Sequence, residues 1–287
     1  AKAGQAVKDY LATLDDAAFG AASDVRPKFI SPSDPAAQWT GALRGPAFFA
    51  YADNYLVDTA NAIIVDVEAS RAIRQAEVGA ARAMIDRVAD RFGLHPKRLA
   101  GDSAYGAAPM LAWLVKERGI SPHIPVFDKS CRDDGSLSRA DFTYDAERNL
   151  YVCPQGKLLR TTGRAHDGRT VLYRSQKTEC DPCSLKPRCC PRTPHRKIPR
   201  DINEDARDVV RSLYGTPAFE QSHRKRVEML FAHLKRILQL GRLRLRGPCG
   251  AQDEFLLAAT AQNLRKLAKL RPEPPLVLQP AGGKEAH

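Results

Sequence analysis

No apolar run in the 287 residues approaches the roughly 18–20 residues of a membrane span. The basic–apolar–small pattern of a secretory leader is missing as well. A membrane protein and an exported protein are set aside on these grounds, and a cytoplasmic location is expected. Aromatic residues are scarce at 7%. The hydrophobic fraction is nevertheless 43%, so the shortage does not push the chain toward disorder. Negative charge is short too: 33 Asp and Glu stand against 45 Lys and Arg, a formal net charge of +12. That excess suits a polyanionic partner, most simply nucleic acid. A basic soluble protein without such a partner is the plain alternative. Cysteine is present, with seven residues. In a cytoplasmic chain these read as metal ligands or buried thiols rather than as disulfides.

The length allows one large domain or two small ones. Residues 1–46 read as an N-terminal helix, with Val7, Leu11, Leu14 and Ala18 on one face, followed by a Pro-rich connector, "DVRPKFISPSDPAAQW". "AFFAYADNYLVD" and "NAIIVDVEAS" read as two strands joined at the turn "DTAN". A helix is expected over 74–92, with Val78, Ala81, Ile85, Val88 and Phe92 inward. "KRLAGD" reads as a strand ending at Asp102, "APMLAWLVKERG" as a helix capped by Gly119, and "SPHIPVF" as a strand weakened by Pro122 and Pro125. Residues 47–128 thus form a mixed α/β layer with an antiparallel pair. Residues 129–200 differ: they hold most of the cysteines, many Arg and Lys, and short strands such as "NLYVCP" and "TVLYRS". They read as an insertion. Helical periodicity returns over 201–271, strongest at "AQDEFLLAATAQNLRKLAKL". The tail 272–287 is Pro- and Gly-rich and is expected to be disordered.

Two stretches carry chemistry. In "LAGDSAYG", Asp102 follows a strand and precedes small residues and a helix, where open α/β sheets place ligand sites. A carboxylate there can hold a hard divalent cation. It can equally be a helix N-cap. In "HRKRVEMLFAHLKR", Glu228 is the one carboxylate in a strongly basic helix. Val227, Leu230, Phe231, Leu234 and Leu238 form its apolar stripe, with Glu228 at the edge. A salt-bridged Glu between Arg224 and Lys235 would be worth only about 0.3–0.5 kcal/mol.

Taken together, "GDSAYG", the long insertion and the spacing R-x3-E-x6-K resemble the DDE transposases of bacterial insertion sequences. Arg224, Glu228 and Lys235 match the family's Y-x2-R-x3-E-x6-K signature, while its Tyr position is Gln221 here. The resemblance runs from about residue 20 to 270. It implies a ribonuclease-H-like mixed sheet with helices, interrupted by the Cys-rich, β-ribbon-like insertion. It also implies that Asp102 and Glu228 are catalytic ligands of Mg²⁺ or Mn²⁺, and that strand cleavage and transfer occur on DNA, at element ends and target. Carboxylates suit Mg²⁺, and two metals can activate the attacking oxygen and stabilise the leaving one. Arg224 and Lys235, with Arg226 and Arg236, would contact phosphates. A homodimer and an association with the nucleoid are further expectations.

The family's first Asp is expected on a strand ahead of the antiparallel pair. Asp34 sits between Pro32 and Pro35, and Asp53, Asp58 and Asp66 fall in the hairpin itself. The chain opens at Ala1, so the expectation is a transposase truncated ahead of that Asp, with activity in doubt. A DNA-binding remnant without catalysis and a ribonuclease-H-like nuclease or resolvase are the rival readings.

The insertion places Cys153, Cys180, Cys183 and either Cys189 or Cys190 at spacings workable for tetrahedral, structural Zn²⁺. Reduced thiols without metal are the alternative. Cys131 and Cys249 are outliers, and His166 and His195 are substitute ligands or solvent-exposed side chains.

Overall fold

The structure, a computed structural model, describes residues 29–41, 45–127, 134–220, 231–232 and 242–270. Its strands and helices are numbered below in chain order. It divides into two compact units, one of residues 1–95 with 223–287 and one of residues 96–222. The second unit is therefore an uninterrupted stretch of chain between the two halves of the first.

In the discontinuous unit, β1 (Gln38–Thr40), β2 (Phe48–Asp58) and β3 (Ile63–Arg71) form an antiparallel sheet in that order. The expected hairpin is present. Asp58 shapes its turn by accepting from the Ala60 N–H at 2.9 Å and from the Asn61 amide at 2.7 Å. β1 was not foreseen, because the Pro-rich run before it reads as a connector. Both Pro32 and Pro35 end before Gln38, where pairing begins.

Helix α1 (Arg74–Phe92) has the expected bounds and stops at Gly93, whose φ of 62° is left-handed. Its buried face differs from the expectation. Ala76, Ala80, Met84, Ile85 and Val88 are buried, whereas Val78 and Ala81 are only half-covered and Phe92 is 61% exposed. Small alanines let the helix lie close to the sheet, so the inward stripe is set by size as much as by apolarity.

The last described helix, α7 (Gly247–Leu270), packs Ala251, Phe255, Ala258 and Ala259 against Ile64, Val67 and Ala69 of β3. β3 is an edge strand of this sheet. Two amides of α7 occupy its outward backbone. Asn263 accepts from the Ile64 N–H at 2.9 Å and donates to its carbonyl at 2.7 Å, and Gln252 accepts from the Ala69 N–H at 2.7 Å and donates to the Val67 carbonyl at 3.2 Å. Gln252 and Asn263 lie about three helical turns apart, so both face one strand. Unpaired strand edges invite foreign pairing, and these amides block it.

In the contiguous unit, β4 (Arg98–Ala100) and β5 (Ser121–His123) pair in parallel. Between them run a 3₁₀ turn (Ser103–Tyr105), α2 (Ala108–Ala112) and a π-helical turn (Trp113–Glu117), closed by Gly119 at φ 64°. The Cys-rich region folds as two small antiparallel sheets. One is β6 (Thr143–Asp145), β7 (Leu150–Val152) and β8 (Leu158–Leu159). The other has β10 (Thr170–Arg174) between β9 (Ala165–His166) and β11 (Lys197–Asp201). Leu137, Phe142, Tyr151, Leu159, Tyr173 and Ile198 form their shared core. Two single-turn helices, α3 (Lys177–Cys180) and α4 (Lys186–Cys189), carry cysteines. Helices α5 (Glu204–Leu213) and α6 (Pro217–Glu220) close the unit. The whole is a mixed α/β protein with several small sheets.

Candidate functional site

Asp102 stands just beyond the C-terminal end of β4 and is exposed. Its Oδ1 accepts the Ala104 N–H at 2.7 Å, so the carboxylate caps the 3₁₀ turn that follows. The capping role weighed from the sequence is therefore real. It engages one named oxygen of an exposed carboxylate and leaves the strand-end location unchanged. Gly106 explains the second glycine of "GDSAYG". A Cβ there would lie 2.0 Å from the Pro125 carbonyl oxygen and 2.7 Å from the Phe127 nitrogen. The close approach lets Phe127 donate its N–H to the Gly106 carbonyl at 2.9 Å, tying the Asp102 turn to the segment after β5. His123, paired with Ala100 across the parallel strands, is buried and stacks on Phe219 at 5.7 Å. Burial first, then the Arg98 charge, holds its pKa below the ordinary imidazole value, so it is a neutral packing residue near neutral pH.

Glu228, Arg224, Arg226, Lys235 and Arg236 lie outside the described residues. From the stretch expected to form their helix, Phe231 is described, and its ring packs 5.5 Å from that of Tyr55. It thus joins the core expected of the apolar stripe.

The other aspartates weighed for a catalytic role have local partners. Asp34 accepts the Tyr51 hydroxyl at 2.8 Å and the Gly247 N–H at 3.0 Å, which joins the β1 approach to the first residue of α7. Asp66 pairs with Arg87 at 2.8 Å, and Arg87 also reaches Glu68 at 2.8 Å. Asp53 is half-buried on β2 rather than on an open surface. Burial, then the Asp53 charge, pushes the Tyr55 hydroxyl pKa well above its ordinary value.

One charged centre was not foreseen. Glu204 is 1% exposed and is held by Arg139 at 2.6 Å, Arg207 at 3.0 Å and Arg211 at 2.8 Å. Three guanidiniums leave no place for a cation, so this carboxylate is structural. The sequence signal, an acidic start to α5, looks like an ordinary helix-dipole match.

The cysteines do converge. Cys153, Cys180, Cys183, Cys189 and Cys190 all line one small cavity. All five are free thiols, as is the exposed Cys249. Cys131 lies outside the described residues. Among the described residues, no three His, Cys, Asp or Glu side chains already stand in a metal-holding arrangement. The catalytic Mg²⁺ and structural Zn²⁺ sets expected from the sequence are thus not assembled there. For Mg²⁺, Asp102 is described without Glu228. For Zn²⁺, the five thiols line one cavity without that arrangement, and Cys153 and Cys189 pack against the apolar core.

Residues 152–268 match the family model described as a transposase DDE domain. The match supports a DDE transposase. It takes in strands β8 to β11, helices α3 to α6 and most of α7, the cysteines from Cys153 to Cys190, and Glu228, but not Asp102. No curated protein and no solved structure matches the chain. No helix among the described residues is long and apolar enough to cross a membrane.

Proposed function

We propose that the protein is a DDE-type transposase of an insertion sequence, built on a ribonuclease-H-like core, that cuts element ends and joins them to target DNA. The observation that carries the reading is the transposase DDE domain match over 152–268, which spans Glu228 and its basic neighbours. The exposed carboxylate of Asp102 at a strand end supports it, because hard oxygen donors at such a position suit Mg²⁺ or Mn²⁺. In this reading Asp102 and Glu228 would be two of the three carboxylates of the divalent-ion site, the family's first Asp having no assigned counterpart in this chain, and the ion would supply charge neutralisation at the reacting phosphate. Arg224, Arg226, Lys235 and Arg236 bind the DNA backbone and fix its register through phosphates, without reading sequence. The net charge of +12 adds a long-range attraction for DNA. A homodimer, with one protomer for each element end, completes the proposal. Zinc has no catalytic part in it: thiolates suit a structural ion.

The test uses the full chain with Mg²⁺ and a linear duplex carrying the DNA that flanks its coding region. Cleavage and joining are expected, and are expected to vanish in both Asp102→Asn and Glu228→Gln while DNA binding persists. Asn is as good an N-cap as Asp, so Asp102→Asn should change stability by no more than about 0.5 kcal/mol. Cleavage that survives both changes sinks the catalytic assignment. DNA binding with no cleavage by the unaltered chain favours the non-catalytic remnant, and preference for branched DNA favours the resolvase.

A further inference from the structure

Strand transfer makes no use of thiols, yet five of them meet. Cys153, Cys180, Cys183, Cys189 and Cys190 come from three separate pieces of chain and line a single cavity of about 30 Å³. Each piece is shaped to turn sulfur inward. After β7 the chain reverses through Gly156, whose φ is 73°, and Gly156 donates to the Cys153 carbonyl at 2.8 Å. In the same turn the Lys157 N–H points at the Cys153 sulfur, 3.3 Å away. Cys180 ends α3, and Cys183 donates its N–H to the Cys180 carbonyl at 3.1 Å, curling the C-x2-C stretch so that both residues reach the cavity. Cys189 ends α4, and Cys190 follows it, 6% exposed.

Lys157, Lys186, Arg196 and Glu179 also line the cavity, and Lys186 pairs with Asp181 at 2.6 Å.

We propose that this cavity is a structural zinc site, with Cys153, Cys180, Cys183 and one thiol of the Cys189–Cys190 pair as ligands. Without metal, Cys190 is hydrogen-bonded to both Cys180 and Cys189. Tetrahedral coordination requires Zn–S bonds of about 2.3 Å, and hence sulfurs about 3.8 Å apart. The sulfurs do not stand at that spacing among the described residues, so binding would require them to turn in about χ1 on one tight turn and two single-turn helices. Each ligating thiol gives its proton to solvent, and the resulting unit carries a charge of −2. Metal displaces the thiol protons on binding, so uptake weakens as pH falls. The ion would tie the β6–β8 sheet to the α3–α4 segment, two parts of the insertion that otherwise share only the apolar core.

This inference rests on the thiols and stands or falls apart from strand transfer, since its test contains no DNA. The full chain is purified under reducing conditions without chelator, and its metal content is measured by plasma mass spectrometry. One zinc per chain is expected. Cys153→Ser, Cys180→Ser and Cys183→Ser should each fall below a tenth of that value, and Cys249→Ser should keep it. Of Cys189→Ser and Cys190→Ser, one should lose zinc and the other retain it. Because a variant can lose metal by misfolding, Co²⁺ is titrated into the unaltered, metal-stripped chain. A thiolate-to-cobalt charge-transfer band saturating at one equivalent is expected, with close to four protons released. Absence of both zinc and the cobalt band overturns the site, as does full zinc in Cys183→Ser, or iron with visible absorption in place of zinc.

Discussion

Glu204 is 1% exposed, with guanidinium nitrogens of Arg139, Arg207 and Arg211 between 2.6 and 3.0 Å away. Removing one partner of a buried ion pair leaves the others uncompensated, which costs more than the pair contributes. Glu204→Gln is expected to destabilise the contiguous unit by about 3 kcal/mol, measured by urea unfolding followed through tryptophan fluorescence. Asp205, the next residue, pairs with Lys116 on the surface and is expected to matter little when changed to Asn. Sequence alone could not separate these two adjacent acids, because the difference lies in which side of α5 faces Arg139. The same limit applies at Asp102. Its place after a strand was legible from alternating apolarity and small residues, and so was its capping option. Neither reading excluded the other, since one carboxylate has two oxygens.

At the level of elements, local periodicity told the most where the pattern was long. The β2–β3 hairpin and α1 followed from a turn with Asp58 and from a long helical repeat. The α1 face was misjudged because Phe92, though apolar, sits on the final turn beyond the sheet, while the smaller Ala76 and Ala80 are covered. β1 escaped notice because three residues carry no period. Asp34 shows what no window along the chain can reveal: its carboxylate joins Tyr51 and Gly247, the latter 213 positions away. As an acceptor for the first N–H of α7, it works as a cap delivered from a distance. Asp34→Ala is expected to cost about 1–2 kcal/mol. Amide hydrogen exchange should speed up at Gly247–Ala251 and stay unchanged in α1. Uniform acceleration through both helices would instead mean that Asp34 only supports the fold as a whole.

For the molecule as a whole, the charge of +12 is a statement about partners rather than fold. If Arg224, Arg226, Lys235 and Arg236 each neutralise a phosphate, the slope of log K against log salt should be about −3.6 or steeper. Changing any one of them to Gln should lessen that slope by about 1, which filter binding over a salt series would read. An unchanged slope removes that residue from the DNA contact. The division into units bears on the order of events during synthesis. β3 and the amide that covers it, Asn263, are 199 positions apart, with the entire contiguous unit between them. At about 5–20 residues per second, a newly made β3 waits roughly 10–40 s on the ribosome for its cover. In that interval residues 96–222 can fold to completion, whereas the hairpin stands with one edge open to any passing strand. A cell making many copies at once would therefore be expected to lose this protein through its first-made half.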